Sequence, residues 1–178
     1  MFDIRAALLR RAVAQGHVLE RDADLRLLID GEAVLPCLVG GSLYRFDIPT
    51  DAASVWLASR ASVPAEVVTG SRDVRRLGVP VELLALRDAN LSIEASHGHV
   101  ALCQGFHEDE SSHRWTNGVA RIPEALLRPF PGALTLDVHL LPSELPYWAP
   151  SSRRQLAIED EETNGALSGP TDSRLAVV

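Results

Sequence analysis

Leu25-Arg26-Leu27-Leu28-Ile29-Asp30-Gly31-Glu32-Ala33-Val34-Leu35-Pro36-Cys37-Leu38-Val39-Gly40-Gly41-Ser42-Leu43-Tyr44-Arg45-Phe46-Asp47-Ile48 is the stretch that decides the fold. Short apolar runs are punctuated by turn residues, which is the pattern of strands. Leu25–Ile29 is expected as one strand. Asp30-Gly31 is a hairpin signal, because glycine tolerates the positive φ of a tight turn. Ala33–Val39 is expected as the returning strand. Leu43–Ile48 alternates apolar with polar residues, which gives one buried face. Gly40-Gly41 reads as a turn and not as a phosphate cradle, since no helix pattern follows it.

The same pattern extends outward in both directions. Ser54–Ser59, Val79–Arg87, Leu91–Ala95, Gly98–His107, His113–Ile122 and Ala133–Leu141 are expected strands. Pro64 is expected to close a turn, Ser71–Gly78 to form an arginine-rich loop, and Pro123–Leu127 to make one helical turn. Toward the N-terminus, residues 3–15 read as a helix. Asp3 is its cap, Ile4, Ala7, Leu8 and Ala12 form its stripe, and Gly16 is its stop. About nine short strands without alternating helices imply a mostly β chain, an antiparallel β-sandwich or jelly roll with one N-terminal helix. The expected organisation is a helix at 1–19, a β-sandwich domain at 20–150 and a disordered acidic tail at 151–178. That tail contains Glu159-Asp160-Glu161-Glu162 and few large apolar groups, too little to offset its ordering entropy.

The chain has 178 residues, 46% hydrophobic and 23% charged, with a formal net charge of −7. It is long enough for one domain with a real core. An acidic protein gains nothing from counterion release on DNA, so nucleic acid is not an expected partner. All 17 basic residues are arginine. A chain without lysine forms no lysine Schiff base and has no P-loop lysine, which excludes two large enzyme classes. Cys37 and Cys103 each sit in an apolar run and are expected as buried free thiols. No apolar run approaches the ~18 residues of a membrane span, and the N-terminus lacks the continuous apolar region of a secretory signal. The expected location is cytoplasmic. An oligomer remains open, and no cofactor is implied.

Polar chemistry is densest in Gly105-Phe106-His107-Glu108-Asp109-Glu110-Ser111-Ser112-His113-Arg114-Trp115-Thr116-Asn117-Gly118. His97, His99, His107 and His113, with Glu108 or Glu110, make a metal-dependent enzyme one alternative. The spacing argues against known templates. A helical H-E-x-x-H needs a histidine where Ser111 stands, and an H-x-H site needs a glutamate where Leu102, Cys103 and Gln104 stand. No G-x-S-x-G marks a serine nucleophile. Glu108 and Glu110 alternate like a carboxylate pair, but acidic loop residues are usually solvated. Glu110 and Arg114 are placed to face each other across a hairpin turning at Ser111-Ser112. Trp115 beside them would add a flat apolar face. The candidate ligand-binding residues are therefore His107, Glu110, Arg114, Trp115, Thr116 and Asn117. Arg72, Arg75 and Arg76 add a second polar edge if their loop folds nearby.

Several segments taken in order resemble a known family. They are Leu27-Leu28-Ile29-Asp30-Gly31, Tyr44-Arg45-Phe46-Asp47-Ile48-Pro49, Ser59-Arg60-Ala61-Ser62-Val63-Pro64-Ala65-Glu66 and Asp73-Val74-Arg75-Arg76-Leu77-Gly78-Val79. The last is Gly105-Phe106-His107-x-x-Glu110-x-x-x-Arg114-Trp115-Thr116-x-Gly118. Their order resembles the β-rich region that follows the Hint (Hedgehog/intein) domain in alphaproteobacterial proteins. The last motif is similar to one in β-sandwich modules attached to glycosyltransferases. The resemblance spans roughly residues 20–148 and brings no catalytic residue with it. It implies a non-enzymatic module that binds a glycan or a polysaccharide-related protein. The alternatives are a structural or assembly module of a larger complex, and the metal-dependent enzyme above.

Overall fold

A computed structural model describes residues 4–150, with side chains from residue 6 onward and Leu8 excepted. Asp3 and the expected acidic tail lie outside the described residues. The chain runs α1 (Ile4–Ala14), β1 (His17–Glu20), β2 (Arg26–Ile29), β3 (Glu32–Val34), β4 (Leu38–Gly40), β5 (Leu43–Ile48) and β6 (Val55–Ala58). It continues through α2 (Pro64–Val67), β7 (Pro80–Arg87), β8 (Ser92–Ser96), β9 (Phe106–Asp109), β10 (Arg114–Thr116) and β11 (Val119–Arg121). It ends with α3 (Glu124–Leu127), β12 (Leu134–Leu140) and β13 (Tyr147–Pro150). The fold is mostly β, as expected, with two short helices beyond the N-terminal one.

Residues 19–148 form one compact unit, and α1 belongs to another. Within its own unit, α1 stops as expected. Gly16 takes φ +80°, and its N–H donates to the Val13 carbonyl. The strand β1 follows directly at His17, where no strand is expected from the pattern of the sequence.

Two antiparallel sheets build the larger unit. One has the order β4-β5-β12-β7-β10-β9, with β8 also on β7. The other is β11-β6-β2-β3. The first sheet forks at β7. Along Leu83–Arg87 that strand pairs with β8, whereas Pro80 and Val81 pair with β10. Inward residues of both sheets share one core: Leu27, Ile29, Val55 and Leu57 on one side, Phe46, Leu84, Leu86, Leu136 and Val138 on the other. This is a β-sandwich, held mainly by apolar burial.

The Asp30-Gly31 hairpin forms as expected, with φ +52° and +92°. Both values are positive, the requirement of a type I′ turn. The Asp30 carboxylate also accepts the N–H groups of Ala53 and Ser54, at 3.1 and 2.7 Å, and these bonds hold its pKa below the usual range.

Five expectations need correction. The run Ala33–Val39 is two strands in two different sheets, because Pro36 cannot continue a ladder. The run His113–Ile122 is likewise split between the sheets at Asn117-Gly118. Gly98–Gly105 forms turns, and only Phe106–Asp109 is strand. Pro64 opens a short helix, its missing N–H costing nothing at that position. The thiols of Cys37 and Cys103 are free but exposed, since each lies on a turn or edge, where it bonds a nearby carbonyl.

Candidate functional site

The Gly105–Gly118 segment is a β9–β10 hairpin with Arg114 opposite Asp109 and Thr116 opposite Phe106. Its turn lies at Ser111-Ser112, with Ser111 at φ +66° and the Glu110 N–H donating to the His113 carbonyl at 3.0 Å. Both bracketing glycines are required by close approach. Gly105 has φ +82°, and a Cβ there would stand 2.1 Å from the Val119 carbonyl oxygen. Gly118 has φ +102°, with Ala61 Cβ 2.9 Å from the same hypothetical atom. Gly118 is the point where the chain leaves one sheet for the other, and Gly105 is where it enters the hairpin against Val119.

The interior of the motif is spent on structure. Thr116 is 1% exposed; its Oγ1 accepts the Val79 N–H at 3.0 Å, and its carbonyl accepts the Gly78 N–H at 2.7 Å. Arg114 Nη1 donates to the Leu102 carbonyl at 2.5 Å, pinning the preceding turn. Asn117 Oδ1 accepts the Val119 N–H at 3.1 Å, so this side chain shapes the sheet switch. Trp115 is half-buried and packs on the core, with the His113 ring edge-on at 5.5 Å.

Glu110 does not pair with Arg114. Arg114 turns inward, whereas Glu110 Oε1 meets Arg75 Nη1 at 2.6 Å. Arg75 also forks onto Asp73, with Nη2 to Oδ2 at 2.6 Å. Hydrogen bonds from Arg75 hold the Asp73 carboxyl below its usual range, and Asp73 with Glu110 raises the guanidinium further above its own. His107 Nε2 lies 2.8 Å from the Arg76 carbonyl. The arginine-rich loop therefore does fold against the hairpin, and two of the motifs quoted for the resemblance meet in space. Arg60, from a third, donates to Glu20 and to the Asp22 carbonyl.

The histidines do not converge. His97 Nδ1 binds Asp109 Oδ1 at 2.6 Å, which lowers the Asp109 pKa and ties the end of β8 to β9 across the fork. His99 Nδ1 accepts the Ala101 N–H, and His107 and His113 are engaged as above. Among the described residues, no three His, Cys, Asp or Glu side chains come together to hold a metal ion.

A cleft lies outside every residue expected to form a site. On β6, Val55 and Leu57 face the core, so Trp56 faces outward, opposite Leu28 and Arg121 in the ladder. Strand alternation within Ser54–Ser59 carried that signal. The Arg121 guanidinium sits 5.9 Å from the Trp56 ring centroid. It also lines a cleft of about 300 Å³, floored by Ile48, Phe130 and Leu134 and rimmed by Ser54, Glu124 and Arg128.

No family model matches the chain, and no curated protein and no solved structure matches it. Among the described residues, no helix is long and apolar enough to cross a membrane.

Proposed function

We propose that this chain is a non-enzymatic β-sandwich binding module for a glycan or a polysaccharide-related protein, akin to the β-rich region that follows Hint domains. The observation that carries the reading is the meeting of Asp73, Arg75 and Glu110 at the hairpin surface, with their side chains still partly solvent-exposed. A guanidinium forked between two carboxylates presents donors and acceptors in one plane, which suits vicinal hydroxyl groups. His107 and His113 flank this bank. Arg114, Trp115 and Thr116 hold the hairpin that carries Glu110, through the Leu102 carbonyl, the core and Val79.

The test is a glycan-array screen of the full chain beside an Arg75→Ala/Glu110→Ala variant. Both residues are surface residues, so the variant keeps its circular dichroism spectrum. Array binding that the variant loses supports the reading; an array without binding to the parent chain sinks it.

A second reading, an assembly module, is favoured by the edge strand β4. Leu38 and Val39 are 43% and 57% exposed there, and one side of β4 has no strand partner among the described residues. An exposed apolar edge is a template for pairing with another chain. Sedimentation velocity decides: a concentration-dependent dimer abolished by Val39→Lys supports assembly, and a monomer throughout removes it.

A further inference from the structure

The cleft beside Trp56 lies apart from the hairpin and has its own chemistry. Its volume of about 300 Å³ is at the lower end for small-ligand clefts. Its floor is apolar, and its rim carries the Ser54 hydroxyl, the Glu124 carboxylate and the Arg121 and Arg128 guanidiniums. The two arginines differ. Arg128 is taken up by Glu124, at 2.9 Å one helical turn away. Arg121 is half-buried against Trp56, and among the described residues no carboxylate ion-pairs with it within 4.0 Å, although its charge, after that of Arg128, helps to hold the Glu124 carboxyl below its usual range. The backbone and the guanidinium of Arg121 each have a contact. Its backbone N–H donates to the Gln104 carbonyl, and the indole face holds the guanidinium. The Asp30 carboxylate accepts the N–H groups of Ala53 and Ser54 and so holds that part of the lining.

A fixed guanidinium with free N–H donors selects a planar anion, and carboxylate matches its fork. An apolar floor next to hydroxyl and carboxylate groups selects a compact ring with one C–H face and several hydroxyls. We propose that this cleft binds an acidic sugar unit, a hexuronate whose carboxylate lies on Arg121 and whose ring lies on the apolar floor. The inference shares the ligand class of the hairpin reading but uses a separate site, so either stands without the other.

The experiment is an NMR titration of the full chain with sodium D-glucuronate, D-glucose and sodium acetate, following the Trp56 indole N–H. Glucuronate should shift that resonance saturably, at least about tenfold more tightly than glucose or acetate. Arg121→Gln should weaken glucuronate about tenfold or more, Arg121→Lys should lose less, and Arg75→Ala/Glu110→Ala should bind as the parent does. Raising the salt concentration should weaken the parent's binding, a readout that needs no variant to fold. The proposal is overturned if glucuronate leaves Trp56 unmoved, if glucose binds equally well, or if binding is insensitive to Arg121→Gln and to salt. Equal binding of acetate also overturns it, by showing a bare carboxylate site without sugar recognition.

Discussion

The Tyr147 hydroxyl donates to the Gly78 carbonyl across 2.6 Å in the buried interior. Gly78 is itself held from the other side: its N–H donates to Thr116, and a Cβ there would lie 2.3 Å from Thr116 Oγ1. One glycine thus joins the end of the chain's β-rich unit to the hairpin motif and the arginine-rich loop.

Tyr147→Phe leaves that carbonyl buried without its donor and should cost about 1–3 kcal/mol in urea denaturation. Burial pushes the Tyr147 phenol up to about 12. The folded state therefore keeps the proton longer than the unfolded chain, whose value is about 10. Stability from this group is intact below about pH 10 and declines as the pH rises toward the folded-state value. The variant carries no phenol to titrate at this position, so this part of the alkaline slope should vanish; an unchanged slope would assign it elsewhere.

Gly105→Ala places a Cβ against the Val119 carbonyl at a backbone angle that alanine rarely adopts. The loss should be about 3 kcal/mol or more, read as a drop in thermal midpoint. Gly132→Ala, with open space around it, is the control and should change little.

Asp137 lies under Arg45 and Arg87 on the outer face of the larger sheet, 2.6 and 3.7 Å away. The hydrogen bonds from Arg45 hold its pKa below the ordinary aspartate value. The stability it contributes is present above about pH 4 and is lost as the pH falls through the folded-state value. Asp137→Asn should therefore be less stable than the parent at neutral pH, and the gap should close on acidification. A gap that is constant with pH would be evidence against the ion pair.

Trp115→Ala should destabilise by about 3 kcal/mol, since the ring packs on the core. In contrast, the exposed Arg75–Glu110 pair should show a coupling below about 1 kcal/mol in a double-mutant cycle. A larger coupling would mean that the pair is structural, which weakens its role as a binding surface.

The local signals were legible in the sequence wherever one residue's backbone chemistry dominates. Asp30-Gly31 requires positive φ at two successive positions, Gly16 ends a helix, and the alternation of Leu43–Ile48 turns one face inward. The splits at Pro36 and at Asn117-Gly118 were less legible. An uninterrupted apolar run looks the same whether it stays in one sheet or crosses to another.

By itself the sequence determined the class of fold and the location of the dense polar motif, because strand periodicity and turn chemistry act over a few residues. Tertiary structure alone decided the partners. Glu110 pairs with Arg75, 35 positions away, and not with Arg114, because bulged hairpin pairing turns Arg114 inward to Leu102. Arg121, which lines the cleft, lies over the Trp56 ring for the same reason: ladder register, a non-local property, places the two side by side.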